Sequence, residues 1–488
     1  MIVNQKNVFL ISMLMCASYA IPIFFGGGYY IDDLIRSING NTDWLANGRP
    51  LAEVFMKFFF FGNKMVDISP MPQFSALVIS SLTVTFLSKK YFNENLFIGL
   101  LVFIPLWISP FFLQNISYKY DAPIMSISVF FATIVFCHTS KYLLKLFFVS
   151  LVSLLASLNF YQPSANIFVI FIVIDFVFYF SNKSNDEAFK RAIIFISSYI
   201  ISNILYLLLI PRFFVKGDYS VEHSQVDFSF SIFQTIENNL LSFFYMLKMS
   251  IPDSFIFSLA PVTILALISS VKVFVFCSER ALIKKIMAVA FLILSWGAIC
   301  FFVVGPMVLL KTPTLAPRTL IGFSGFLCAL FFYSTRIETK NIFFNVVVIL
   351  IPCVYMYQFS YAYYNAMINQ NRYEQIVISN ISKSVDEFSS YGFNNVAING
   401  RVKLSPENRL AVDVFPILDF LIPRTLNNVE FWSSIQLMHY DINMNYPNHE
   451  NIKSVSMCSF KKIRSGIYFN LYYTNKTLIF DFDKEYCQ

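Results

Sequence analysis

The feature that most constrains this chain is the recurrence of apolar stretches separated by short charged connectors. They fall at residues 8–25, 73–88, 96–111, 123–138, 143–160, 164–181, 192–210, 254–276, 286–310, 320–335 and 342–361. At about 1.5 Å rise per residue, helices of this length cross most or all of a hydrocarbon core about 30 Å thick. A water-soluble domain cannot hide so many of them. The whole chain agrees: 57% of its 488 residues are hydrophobic, 58 are Phe and only 13% are charged, a composition outside that of ordinary soluble domains. The pattern predicts a polytopic α-helical membrane protein with about eleven transmembrane helices, a count open to within one or two. One amphipathic piece, 232–249, is compatible with an interfacial helix, a re-entrant segment or a further span.

Orientation follows from the cations. One Lys precedes residue 8 and no small-residue cleavage pattern follows residue 25, so the first run is expected to stay as a span and not to be removed as a signal peptide. Placing the N-terminus in the cytoplasm puts Lys6, Lys89, Lys90, Lys141, Lys145, Lys183, Lys190, Arg191, Arg280, Lys284, Lys285, Arg336 and Lys340 in short basic connectors on that side. The other side receives longer loops of mixed sign: 26–72, a segment around 118–121, 212–253 and 311–319. In a bacterial inner membrane that side is the periplasm.

The residues from 365 to 488 are far more polar than the 364 before them. They predict a small α/β periplasmic domain behind a transmembrane domain of residues 1–364. Helical spacing marks 366–388, and a further helix is expected over 406–421. Strands are expected at 396–399 and 435–439, and a hairpin at 468–473 and 478–482. No glycine-rich phosphate loop, serine nucleophile elbow or Cys/His metal spacing occurs there, which suits a cap or acceptor platform better than an independent catalyst. Its two cysteines, Cys458 and Cys487, can pair in an oxidising compartment, closing a loop worth about 3–4 kcal/mol on the chain-entropy model. Two unpaired thiols remain the other reading.

The net charge of +7 does not signal nucleic acid, because the cations are dispersed and form no basic stripe with interleaved aromatics. Membrane lipid is the expected partner. Chemistry concentrates in residues 26–73, just past the first span. Asp32 and Asp33 are adjacent carboxylates that cannot share one helical face, so one can face a cavity while the other caps a helix. A carboxylate against low-dielectric walls becomes a better proton acceptor for a hydroxyl. An acidic N-cap pair is the plain alternative. A second group is cationic: Arg36, Arg49, Lys119, Arg212 and Arg318, with Glu53 beside them in sequence. Arg holds phosphate oxygens in pairs, and Arg318, at a span end after Pro317, is the first choice for that role. Headgroup anchoring is the alternative for each cation. Lys119, Tyr120 and Asp121, together with Tyr161 and Gln162, are placed to line a polar pocket between helices. Trp44 and Trp107 read best as interface-belt residues. His138, His223, His439 and His449 show no zinc-ligand spacing.

Seven segments together carry a resemblance: YYIDDLIRS, DWLANGRPLAEVFMK, DISPMPQ, PFFLQNISYKYDAPIM, NFYQPSANI, APRTLIGFSG and AMINQNRYEQI. On these the chain resembles the phage-encoded, serotype-converting O-antigen glucosyltransferases of the Gtr type, membrane glycosyltransferases of the GT-C class. The match runs from residue 29 to about 376 and carries little into the last hundred residues. The resemblance implies a reaction: transfer of glucose from an undecaprenyl-phosphate-glucose donor to a sugar of the lipid-linked O-antigen repeat, on the periplasmic side. It implies a general base in the first outer loop, which maps onto Asp32 or Asp33, with Asp32 favoured and Asp33 as its partner. It implies inverting displacement, with a separate synthase and flippase supplying the donor. No cofactor is certain, and a divalent ion at the acidic pair is left open, since relatives differ in this respect.

A transporter or flippase of a lipid-linked sugar is the principal alternative. The first-loop motif has no second copy in the later half, as a repeat transporter would show, and the polar groups gather on one side of the membrane. An adhesion or receptor module would not need so many spans.

Overall fold

A computed structural model describes residues 4–26, 28–140, 142–182, 184–276, 282–336, 342–428, 431–442, 457–474 and 476–484. The chain divides into two units. One comprises Met1–Phe25 and Asn41–Tyr361, the other Gly26–Gly40 and Ala362–Gln488. The acidic pair therefore groups with the C-terminal residues and the rest of the first loop with the apolar helices.

Among the described residues seven helices are long and apolar enough to cross a membrane: Gln5–Phe24, Met71–Tyr91, Leu143–Phe160, Gln162–Ser181, Asn185–Phe214, Asp253–Phe274 and Phe343–Glu387. Three more apolar helices, Leu96–Ile108, Ala122–Cys137 and Ile286–Phe301, are shorter, and the run at 320–335 forms Gly322–Ser334. Several of the expected spans are therefore less than a full crossing. The helix from Leu96 breaks at Pro105, whose ring and missing N–H end it. Its residues from Ile98 to Ile108 are buried in protein, where the short length leaves no backbone facing lipid.

Polar side chains inside the long helices are satisfied locally. In Met71–Tyr91, the hydroxyls of Ser81, Thr83, Thr85 and Ser88 donate to carbonyls four residues back at 2.7–2.8 Å. Gly99 lets the next helix approach this one, since a Cβ there would lie 2.8 Å from Ser88 Cα. Arg191, expected in a basic connector, is instead buried within helix Asn185–Phe214. Its Nε donates to Asp175 Oδ2 at 2.7 Å and its Nη1 and Nη2 donate to the carbonyls of His138 and Phe136. Tyr91 Oη donates to Asp175 Oδ1 at 2.9 Å. The pair ties together helices Met71–Tyr91, Ala165–Ser181 and Asn185–Phe214 and the end of the stretch 122–138, and a buried charge of this kind is tolerable only because it is so fully paired.

The second unit contains a four-stranded sheet of β1 (Asn395–Asn399), β2 (Lys461–Ser465), β3 (Asn470–Thr474) and β4 (Thr477–Asp481), in the order β1-β4-β3-β2. The expected hairpin is present as antiparallel β3 and β4, with Thr474 opposite Thr477. β1 joins β4 in parallel. Val377, Ile378 and Ile381 of helix Ile342–Glu387 pack with Val396, Ile398, Leu471, Leu478 and Phe480 to form the core of this unit.

Two expectations are corrected here. Residues 435–439 are not a strand: 435–438 end helix Trp432–Met438 and His439 caps it. Gln436, Leu437 and Met438 favour helix, and Ser433 Oγ accepts from the Asn427 backbone N–H, which tethers the helix start. The edge position is taken by β2, whose mostly exposed KKIRS sequence gave no apolar signal. The expected helix 406–421 is split into Pro406–Val414 and Leu418–Leu421, because Pro416 interrupts it. Ser405 caps the first piece, its side chain accepting from Asn408 N at 3.3 Å. Cys458 is disulfide-bonded; Cys487, its expected partner, lies outside the described residues.

Candidate active site

Within the membrane unit the loop after Gly40 is organised by Glu53, on helix Pro50–Phe59. Its Oε2 accepts from the backbone N–H groups of Trp44 at 3.2 Å and Leu45 at 3.3 Å, and its Oε1 accepts from Thr42 Oγ1 and pairs with Lys57 Nζ at 2.9 Å. Burial raises the Glu53 pKa, but hydrogen bonds from Thr42, Lys57 and Leu45 outweigh it and hold the carboxyl below its ordinary value. Glu53 is thus a loop clamp with its oxygens already engaged.

The clamp fixes a tight turn. Arg49 N donates to Trp44 O at 3.0 Å, and Gly48 adopts φ +72°, which a side chain would strain. A Cβ on Gly48 would also stand 2.8 Å from Tyr206 Oη and 3.2 Å from Val215 Cγ2. Pro50 begins the following helix where no N–H is needed. The turn holds Arg49 against Tyr161 and Gln162: its guanidinium carbon is 4.9 Å from the Tyr161 ring centroid, and its Nε donates to Gln162 Oε1 at 3.1 Å.

Tyr161 is the hub. Its hydroxyl donates to the Arg318 carbonyl at 2.9 Å, while the Arg318 backbone N–H donates to Gln114 Oε1 at 2.7 Å. The Arg318 guanidinium lies 4.9 Å from the Tyr118 ring centroid and donates through Nη1 to the Tyr118 hydroxyl. Burial pushes the Tyr161 phenol pKa up, against the pull of Arg318 and Arg49 and with a smaller upward push from Asp121. Asp121, 3% exposed, accepts from the Trp44 indole Nε1 at 2.6 Å. Lys119 Nζ pairs with Asp67 Oδ2 at 3.1 Å. Burial raises the Asp67 pKa, and hydrogen bonds from Ser69 and Lys119 bring it below the ordinary value.

Of the residues expected from sequence, Arg49, Tyr161, Gln162 and Arg318 are brought together, and Asp121 is held by the Trp44 indole. Glu53 supports their loop, and Lys119 is held by Asp67. Trp44 and Trp107 are corrected: both are 0% exposed. Neither sits in an interface belt, because their indoles donate to Asp121 and to the Cys16 carbonyl. Sequence reasoning missed Tyr206, which lies within an apolar run and has no distinguishing signal. Its hydroxyl donates to Gly48 O at 2.8 Å and accepts from Gln162 Nε2 at 2.8 Å. Arg212 is in the last turn of the same helix.

The acidic pair lies in the other unit, at the first turn of helix Asp32–Asn39. Ile31, just before it, has φ 42°, a conformation costing about 1–3 kcal/mol in a β-branched residue. Asp33 is 0% exposed, and its Oδ2 is 3.4 Å from the Tyr30 backbone nitrogen that donates to it. Asp32 is partly exposed and Arg36 is 5% exposed. The segment is pinned by Tyr30 Oη, which donates to Leu421 O at 2.8 Å, and by His439, whose Nε2 is 3.1 Å from Leu34 O and whose ring stacks on Tyr29. Among the described residues no three His, Cys, Asp or Glu side chains gather in a group that could hold a metal ion.

Residues 21–329 match the family model described as Glucosyl transferase GtrII. A Salmonella phage P22 protein, described as an uncharacterized 55.3 kDa protein in the gtrB 5′ region, is 28% identical over 453 residues. The alignment covers 91% of this chain and 92% of that protein. No solved structure matches.

Proposed function

The chain belongs to the GtrII family of glucosyl transferases and is a glycosyltransferase, and we propose that it moves glucose from undecaprenyl-phosphate-glucose to a sugar hydroxyl of a lipid-linked O-antigen repeat. The observation that carries this reading is the meeting of Arg49, Gln162 and the Arg318 backbone at the buried Tyr161. Cations at the ends of apolar helices suit a donor whose phosphate sits at the headgroup level while its tail remains in lipid. On the orientation given by the cationic connectors, this end of the bundle faces the periplasm of a bacterial inner membrane.

In the proposed course the acceptor oxygen attacks the anomeric carbon as the bond from that carbon to the phosphate oxygen breaks. The acceptor proton goes to a carboxylate of the first loop, Asp32, with Asp33 fixed beside it as partner. The bonding pair leaves with the phosphate, whose charge is met by Arg49 and Arg318. Attack opposite the leaving group inverts the anomeric centre. Arg36 and Lys119 are assigned to substrate binding, and acceptor choice is assigned to the C-terminal unit.

The test is transfer by purified protein, given a polyprenyl-phosphate glucose donor and a lipid-linked O-antigen acceptor, with donor binding measured separately. Asp32→Asn should lower turnover by about 10²-fold or more with donor binding retained, and Asp33→Asn should lower it less. Wild-type turnover in both variants would remove these carboxylates from the mechanism.

A further inference from the structure

The two arginines around Tyr161 are not equivalent. Arg318 is occupied: its guanidinium bonds the Tyr118 hydroxyl, and its own amide and carbonyl are held by Gln114 and Tyr161. Arg49 uses only Nε, toward Gln162 Oε1, and lays its plane near the Tyr161 ring. Among the described residues its Nη1 and Nη2 have no hydrogen bond and no carboxylate partner. These are the two parallel N–H donors that grip a pair of phosphate oxygens.

What aims that fork is a short relay. Gln162 can present its oxygen to Arg49 only if its amide nitrogen is engaged elsewhere, and it is, by Asn47 O at 3.1 Å and Tyr206 Oη at 2.8 Å. Tyr206 Oη in turn donates to Gly48 O at 2.8 Å, the carbonyl immediately before Arg49. The hydroxyl thus fixes both the carboxamide that orients Arg49 and the backbone from which Arg49 projects. It sits 8% exposed on helix Asn185–Phe214, more than 150 residues away in sequence, so a rigid helix sets the position of a loop cation. Gly48 has no side chain because this hydroxyl occupies the space a Cβ would need.

We propose that Tyr206 is a positioning residue which, through Gln162 and the Gly48 carbonyl, aims the Arg49 fork at the phosphate of the sugar donor, so that Arg49 grips two of its oxygens directly while Arg318, already bonded to Tyr118, contributes its charge alone. The inference rests on the lipid-phosphate donor reading and specifies which cation serves it. Tyr206→Phe keeps the ring and deletes one oxygen.

The experiment is a double-mutant cycle on kcat/KM for polyprenyl-phosphate glucose, paired with binding of polyprenyl phosphate alone. Arg49→Ala should lower kcat/KM about 100-fold, Tyr206→Phe about 10-fold through donor KM with acceptor KM unchanged, and the double variant no more than about 2-fold below Arg49→Ala. Polyprenyl phosphate binding should weaken in parallel. If Arg49→Ala is impaired but Tyr206→Phe is harmless, or lowers activity by the same factor with Arg49 present or absent, the relay is wrong and the donor reading survives. If Arg49→Ala matches wild type in both measurements, the assignment of donor phosphate to Arg49 fails at its base. Gln162→Glu keeps the shape but places a carboxylate on Arg49. It should bind polyprenyl phosphate at least as poorly as Tyr206→Phe, and wild-type binding would count against the relay.

Discussion

Replacing Glu53 by Gln should loosen the loop that carries Arg49 without touching the helices around it. The side chain is 9% exposed and accepts from Thr42 and from two backbone amides. The carboxamide keeps one accepting oxygen, which stays toward the Trp44 and Leu45 N–H groups, so the new NH2 faces the Thr42 hydroxyl and the Lys57 ammonium. Loss of a hydrogen bond to a charged acceptor costs about 1.5 kcal/mol. The ion pair with Lys57, which is 42% exposed, adds only about 0.5 kcal/mol because solvent screens it. The sum, about 2 kcal/mol, is a roughly 30-fold rise in the population of the opened loop. Hydrogen exchange in detergent or nanodiscs should show the Trp44 and Leu45 amides exchanging about 30-fold faster, with Met71–Tyr91 unchanged.

The same substitution predicts a pH dependence. The Glu53 pKa is lower folded than unfolded, so its contribution is complete above the ordinary value of 4.5 and is lost as pH falls through the lower folded value. The ratio of exchange rates between variant and wild type should therefore be largest at neutral pH and shrink in acid. Equal protection of Trp44 and Leu45 in the two proteins at neutral pH would refute the clamp.

Two further substitutions test the packing around this site and the buried pair. Gly48→Ala should cost about 1–3 kcal/mol from the positive φ alone, lowering both thermal stability and transfer, and an unchanged melting point would show that the turn is not held as described. Asp175→Ala leaves Arg191 charged, buried and without its carboxylate, a loss of about 3–5 kcal/mol; thermal unfolding in detergent should show a large drop, and a shift within error of zero would contradict the tight pairing.

Much of this architecture was legible because lipid imposes a simple rule: long apolar runs must become helices. The rule says less about runs such as 96–111 and 320–335, which are surrounded by protein and need not span the full core. In the C-terminal unit, Val396 and the pair of apolar strands about Thr474 and Thr477 were plain, because burial alternates or runs continuously there. The exposed edge strand Lys461–Ser465 has no apolar pattern to read, and two helical turns at Trp432–Met438 mimic the alternation of a strand. At the site, Asp121, Tyr161, Gln162 and Arg318 stood out as polar groups at the ends of apolar runs, and Arg49 as a cation of the polar first loop. Tyr206 did not, since a tyrosine inside an apolar stretch looks like any other, and only the position of its hydroxyl gives it a role. The Trp44 indole was misread for a related reason: composition cannot tell a ring at the lipid interface from one buried on a carboxylate.

The central claim is that sugar is transferred from a lipid phosphate, and product analysis of the purified wild-type protein tests it most directly. With polyprenyl-phosphate [14C]glucose and a lipid-linked O-antigen acceptor, the account predicts one labelled glucose on the acceptor for each polyprenyl phosphate released, with inverted anomeric configuration. Labelled acceptor formed from a nucleotide sugar and not from the lipid donor, or movement of the lipid donor across the bilayer with its sugar bond intact and no product, would contradict it.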